Sequence, residues 1–440
     1  MKLRLLPYLL PVFATAIFSA SAAAQVTFPE AAINYQAYPE ASALPRLSPP
    51  PDGYQPFHIE HFGRHGSRWH LSARNYERPL ETLRMAERHG ALTERGRQVL
   101  TSLDSLNNNA RGRYGELTPL GHEQHKGIAR RMAINFPQVF APEAIVNGRS
   151  TVVIRSILSM LEELEELRGC YTDLRINSDA SVADMYYMNS PDRNRGAILI
   201  DSLKPALDRY RDSLPATGEF VRVLIDDERL IADSIDVNAF MSQMFDIAAN
   251  EDSHPDRPGS IRDIFTPEEI DRQWNKNNAF WYWHNGNTPL TGYASSLQQV
   301  NMLKNIIASA DTTLTSPRHS INLRFGHETN IIALAVMLGL DNADRVITSY
   351  GDVADKWHAQ DIIPMAANIQ LIFYRPTRPG PGGWSEDDIL VKTLLNEREV
   401  TMPGIPVTGP YYRWTTLRDQ YLKKLSLIHI SEPTRPLYIS

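Results

Sequence analysis

The densest chemistry in the chain lies in Arg64-His65-Gly66-Ser67-Arg68. Two guanidiniums flank one imidazole. Guanidiniums stay charged at any working pH and hold phosphate oxygens in a planar, bidentate way. Their field favours neutral imidazole, which leaves a ring nitrogen free as a nucleophile. Gly66 permits a tight turn and leaves room for an anion. The bland alternative is a basic surface loop with an incidental histidine. A second element, Gly326-His327-Glu328-Thr329, offers another anion-binding imidazole and a carboxyl able to protonate a leaving group. Alone, such a pair is more often a surface or satisfied one. The third element is Arg149 to Ser156, at or just before a helix start, where free N–H groups and the helix dipole favour anions. Arg155 would supply a third guanidinium there. Other chemistries fit poorly. His122-Glu123-Gln124-His125 spaces its histidines three apart rather than the four a zinc helix needs. No GxxxxGK loop and no GxSxG elbow occur.

These groups need elements to position them. Residues 57–62 alternate and end at Gly63, which predicts a strand running into the first loop. Residues 72–108 read as helical, with Arg and Glu at i,i+3 and i,i+4 spacings. Thr118-Pro119 is a cap followed by proline in a first helical turn. Apolar residues at 154, 157, 158, 161, 164 and 167 form a helical stripe, with the intervening glutamates read as its solvated face. From about 180 to 300 the texture is helical. Thr266-Pro267-Glu268-Glu269 is a capping box leading to Trp274 and Trp281-Tyr282-Trp283, a cluster best read as packing. Strand character returns at 321–325, a buried helix follows at 331–340, and 369–374 is another strand. Each reactive motif therefore sits at a strand end or a helix start, where α/β folds place ligands.

Composition narrows the classes. The chain has 440 residues, 42% hydrophobic and 22% charged, enough for two structural units and a large core. The net charge of −6 argues against a nucleic-acid binder. Residues 64–113 run against that balance, with ten arginines and five acids. Arg64 and Arg68 are credited to an anion site, and Arg74 and Arg78 are candidates for further phosphates of a polyanion. The single cysteine, Cys170, excludes an intramolecular disulfide. Lys2 and Arg4, the apolar stretch 5–18 and Ala22-Ala23-Ala24 make residues 1–24 a secretory signal, which predicts a periplasmic or secreted protein with no membrane span after its removal. Residues 425–435, LSLIHISEPTR, match the translation of a transposase adapter used in sequencing libraries, so 425–440 are expected to be an artefact.

As a set, RHGSR, RSTxxxRSxxS and GHETN, in this order, resemble the histidine acid phosphatases. That family is the branch of the histidine phosphatase superfamily that holds phytases and multiple inositol polyphosphate phosphatases. Glu116 to His125 resembles a segment found there between the first two motifs. The resemblance runs from about Tyr54 to Tyr374. It implies an α/β sandwich domain, residues 25–180 and 300–424, with an inserted, mainly helical cap at 181–299. It implies a phosphomonoesterase working through a phosphohistidine, with small-molecule phosphate esters as partners, phytate or another inositol polyphosphate favoured. His65 would be the nucleophile, Glu328 the proton donor, and Arg64, Arg68, Arg155 and His327 the phosphate holders. No metal or other cofactor is implied. Two departures stand out. Trp69-His70 follow the second arginine where the family often has proline two places on. The donor is a glutamate straight after the histidine, where the family usually has aspartate, or glutamate one place later. A broad acid phosphatase, or a binding protein that has lost turnover, are the rival readings.

Overall fold

The computed structural model describes residues 26–430 apart from 190–192, 257–258, 292–296, 298 and 315. The secretory-signal segment lies outside the described residues. Eight strands form one sheet: β1 (Tyr54–Arg64), β2 (Ile145–Ser150), β3 (Arg175–Asp179), β4 (Ser320–Gly326), β5 (Asn368–Pro376), β6 (Leu390–Leu395), β7 (Arg398–Glu399) and β8 (Tyr412–Arg413). Their order is β3-β2-β4-β1-β5-β6-β7, with β8 also on β6. The four strands β3, β2, β4 and β1 are mutually parallel, and β5 and β6 continue the sheet antiparallel. The fold is α/β, as the motif order implied.

The helices that matter for the site are α1 (Arg74–Arg88), α2 (Glu94–Ala110), α3 (Pro119–Asn135), α4 (Ile154–Cys170), α5 (Val237–Ala249), α6 (Pro267–Asn285), α7 (Val300–Asp311), α8 (Glu328–Leu338) and α9 (Trp414–Ile430). One side of the sheet packs Ile59, Val146, Leu323 and Phe325 against Ala129, Met132, Met160 and Leu164 of α3 and α4. The other side joins Phe57, Phe62 and Phe373 to α8 and the helical segments in one larger core. Strand alternation explains the division. Ile59 and His61 point to α3 and α4, while His58, Glu60 and Phe62 point the other way. Glu60 is fully buried there and is matched by Arg324, with Ser309 and Asn322 each donating a hydrogen bond at 2.7 Å.

Between β3 and β4 the described chain is built of helices. Thr266 caps α6 with the reciprocal Glu269 bond that the sequence predicts. Trp274, Tyr282 and Trp283 are buried packing residues. Two expectations change. The stretch 72–108 is two helices, because the chain turns at Gly90 and Thr93 opens a new helix by accepting from Gly96 N. Glu163 is not on a solvated face: it is fully buried, 2.8 Å from His125 Nδ1. Helix α9 runs into the adapter-like stretch, and Leu425 is 3% exposed in the core. Residues 431–440 lie outside the described residues.

Candidate active site

The loop after β1 is held from three directions. His65 N donates to the Gly326 carbonyl at 3.1 Å, and Ala366 N donates to the His65 carbonyl at 3.1 Å. Ser67 N donates to Gln124 Oε1 at 2.8 Å, while Thr118 N reaches the Ser67 carbonyl at 3.0 Å. Gly66 N donates to Ser159 Oγ at 3.2 Å. Glycine is required at 66 because a Cβ would stand 2.5 Å from the Gly121 carbonyl oxygen, and that backbone is itself fixed at the start of α3.

The parallel strands β1, β2 and β4 then deliver the reactive groups to one end of the sheet, where ligands of open α/β folds bind. Arg64 ends β1, Arg155 lies in the first turn of α4 just beyond β2, and His327 caps α8 just beyond β4. All six sequence-predicted residues converge. Glu328 Oε2 lies 3.2 Å from Arg64 Nε and 3.7 Å from His65 Nε2. The His65 and His327 rings are 5.7 Å apart, edge to face. Arg155 and Arg68 are close enough to both histidines to disfavour their protonated forms.

The bonding pattern gives His65 a direction. Its Nδ1 is 3.0 Å from the Gly66 carbonyl, an acceptor, so Nδ1 carries the proton. Nε2 is buried and unpartnered, a lone pair aimed into the cluster. Burial lowers the His65 pKa well below the ordinary range, and Arg64, Arg68, Arg155 and His327 push it the same way. His327 follows the same logic and is lowered to about 4. Each arginine whose charge reaches the histidines carries a buried nitrogen with no hydrogen-bond partner: Arg64 Nη2, Arg68 Nε and Arg155 Nε. A buried donor left unmade is costly, so three such guanidiniums acting on one neutral imidazole favour an anion there.

Burial alone would raise the Glu328 pKa, but Arg64 and Arg68 outweigh burial and hold the carboxyl at about 2. An acid at that position must gain its proton when a phosphate dianion takes up the guanidinium charge. His65, His327 and Glu328 also place one ligand atom each within 4.8 Å of the others, the spacing of a metal cluster. The three guanidiniums facing the same point make it a poor place for a cation.

Other predicted residues fall outside. Arg74 and Arg78 are exposed on α1, and neither is hydrogen-bonded or ion-paired to a member of the cluster. The zincin-like histidines are engaged elsewhere, His122 with Glu162 at 2.7 Å and His125 with Glu163. Trp69 and His70, the departure after RHGSR, are buried. Trp69 lies under the Arg113 guanidinium at 4.2 Å, and His70 stands edge-on to Tyr76. The sequence reading missed Tyr35, whose ring lies 5.7 Å from the Arg68 guanidinium carbon, and Thr151, whose hydroxyl is 3.4 Å from His327 Nε2. Thr151 sits within the quoted RSTxxxRSxxS stretch. Tyr35 carries no local signal.

A family model described as histidine phosphatase superfamily (branch 2) matches residues 234–396, the part that contains His327 and Glu328. No curated protein matches the chain. Among solved structures, the Bifidobacterium longum multiple inositol polyphosphate phosphatase in complex with phosphate superposes with a TM-score of 0.67 at 16% identity, covering 90% of this chain and 98% of that one. The phytase from D. castellii gives 0.64 at 15% identity, with 93% and 90% covered. A Hafnia alvei phytase in complex with myo-inositol hexakis sulphate gives 0.52 at 14%, with 85% and 98% covered. The chain thus resembles the histidine phosphatase superfamily (branch 2) over residues 234–396, and it shares its fold with these phosphatases.

Proposed function

We propose that this protein is an exported phosphomonoesterase that transfers phosphate to His65 and then to water. The observation that carries the reading is the unpartnered His65 Nε2 in the field of Arg64, Arg68 and Arg155, each with an unpartnered buried nitrogen. A phosphate monoester seats its non-bridging oxygens on those nitrogens and on His327. The neutral His65 Nε2 attacks phosphorus, the N–P bond forms and the ester P–O bond breaks. Glu328 gives its proton to the departing oxygen. Water then surrenders a proton to the Glu328 carboxylate and attacks phosphorus, and the N–P bond breaks to release inorganic phosphate. The guanidiniums are fixed before substrate arrives, so charge on the transferring group meets preorganised donors. Export rests on the N-terminal signal pattern of residues 1–24. No helix among the described residues is long and apolar enough to cross a membrane.

For substrate we favour phytate or another inositol polyphosphate. The fold shared with a phosphatase and a phytase bound to inositol hexasulphates supports it, as does the concentration of arginine at the site. Initial rates of phosphate release from phytate, glucose 1-phosphate and AMP across pH, with product isomers resolved, test this. Preference for phytate is expected. Comparable rates on all three would make the protein a broad acid phosphatase, and no release from any would make it a phosphate-ester binding protein.

A further inference from the structure

Directly behind the RHGSR loop lies a buried polar group that the proposed reaction does not use. His61 on β1, His125 on α3 and Glu163 on α4 are all essentially inaccessible to solvent. His125 Nδ1 is 2.8 Å from Glu163 Oε1. The remaining polar atoms of the group have no hydrogen-bond partner: Glu163 Oε2, His125 Nε2 and both nitrogens of His61. Four unsatisfied atoms on three adjoining side chains call for a role. The same two helices grip the loop. Gln124, next to His125, binds Ser67, and Ser159, one turn before Glu163, binds Gly66 N. The Arg64 backbone carbonyl is close enough to His125 to favour its protonated form, though no hydrogen bond joins the two in this structure.

We propose that Glu163 and His125 are a positioning pair for the nucleophile loop, in which one proton held by Glu163 keeps a His125 N–H directed at the Arg64 carbonyl. With Glu163 protonated, its O–H donates to His125 Nδ1, and the imidazole proton sits on Nε2, facing Arg64. When Glu163 loses its proton, the imidazole proton moves to Nδ1 to donate to the carboxylate. Nε2 then presents a lone pair to the carbonyl, and the loop loses that support.

The surroundings set where this happens. Burial raises Glu163 to about 7. His61 opposes the shift, Glu397 adds to it and Arg131 lowers it. Burial lowers His125 to about 3, with Glu162 raising it and His122 lowering it. Positioning therefore holds at acid pH and weakens as pH rises through neutrality.

The inference rests on the phosphomonoesterase reading, and the test separates the two. Nitrophenyl phosphate is the substrate, because its leaving group needs little protonation and the Glu328 titration drops out. Glu163→Gln keeps an N–H donor toward His125 at every pH. Its kcat divided by that of wild type is expected to rise about tenfold between pH 6 and pH 8, since a small misplacement of the nucleophile is costly. Substrate ionisation is common to both proteins and cancels in the ratio. His125→Phe is expected to start with a much lower kcat at pH 6 and to approach wild type at pH 8, with KM nearly unchanged. Ratios that are flat in pH for both variants, with folding confirmed by near-UV circular dichroism, would overturn the pair's role. If wild type releases no phosphate, the functional reading fails. Calorimetric titration with inorganic phosphate then takes over: a wild-type affinity that falls relative to Glu163→Gln from pH 6 to pH 8 supports the pair, and a constant ratio overturns it.

Discussion

Glu328→Gln separates the chemistry proposed here from a merely structural role for that carboxyl. In the free protein Arg64 and Arg68 hold the acid at about 2, so at pH 5 it is ionised. To protonate a leaving group at that pH it must rise by about three units, or roughly 4 kcal/mol. Two unit charges about 4 Å apart near a protein surface interact by about that amount at an effective dielectric of 20. Glu328 Oε2 is 3.2 Å from Arg64 Nε, so a phosphate dianion that takes over the guanidiniums supplies a change of the required size. An alkoxide needs its proton in the transition state, whereas a nitrophenolate is already a stable anion. Glu328→Gln should therefore slow glycerol 2-phosphate or phytate on the order of 10²-fold, about 2.7 kcal/mol, and slow nitrophenyl phosphate far less. Because the acid must be protonated in the complex, kcat on the alkyl ester declines as pH rises through its raised pKa, and the variant lacks that decline. It should also bind inorganic phosphate more tightly, since the carboxylate no longer competes for Arg64. Both substrates are assayed on one preparation. Equal slowing of the two esters would refute the donor role and leave Glu328 as a residue that orients His327 and Arg64.

Gly66→Ala should fold but lose more than about 10²-fold in activity, because its Cβ would stand 2.5 Å from the Gly121 carbonyl and displace the nucleophile loop; near-UV circular dichroism with a rate measurement checks this. EDTA should leave the purified enzyme unaffected, since three guanidiniums and two imidazoles supply the charge stabilisation a metal gives elsewhere. Loss of activity restored by one added divalent ion would count against that. Ending the chain after Ser426 should leave Tm unchanged, whereas ending it after Lys424 should lower Tm by a few degrees, because Leu425 is buried against the core. Thermal melts of the two truncations measure what Leu425, the first residue of the adapter-like stretch, contributes to the core.

What the sequence disclosed was set by how local each signal is. RHGSR and GHETN carry their chemistry in consecutive residues, and their strand and helix contexts follow from patterning on either side. Helix starts at Thr118 and Thr266 were legible because capping is decided by three or four neighbouring residues. The break at Gly90 was not, since charges at helical spacing continue on both sides of it. Glu163 looked like a solvated glutamate because burial is decided by what packs across from it, here His125 some 38 residues away. Tyr35 belongs to a short segment ahead of β1, and only the fold brings it beside Arg68. The strands β6 to β8 are short or pair over a distance, so periodicity alone does not mark them.

The most direct test of the account is to trap phosphate on His65. Wild type mixed with ³²P-labelled substrate and quenched within milliseconds should carry acid-labile, alkali-stable label that maps to the peptide containing His65. His65→Ala, folded as judged by circular dichroism, should carry none and should retain less than about a thousandth of wild-type kcat. Label on any other residue, or a folded His65→Ala that still turns over at more than a few per cent of wild type, would contradict the mechanism.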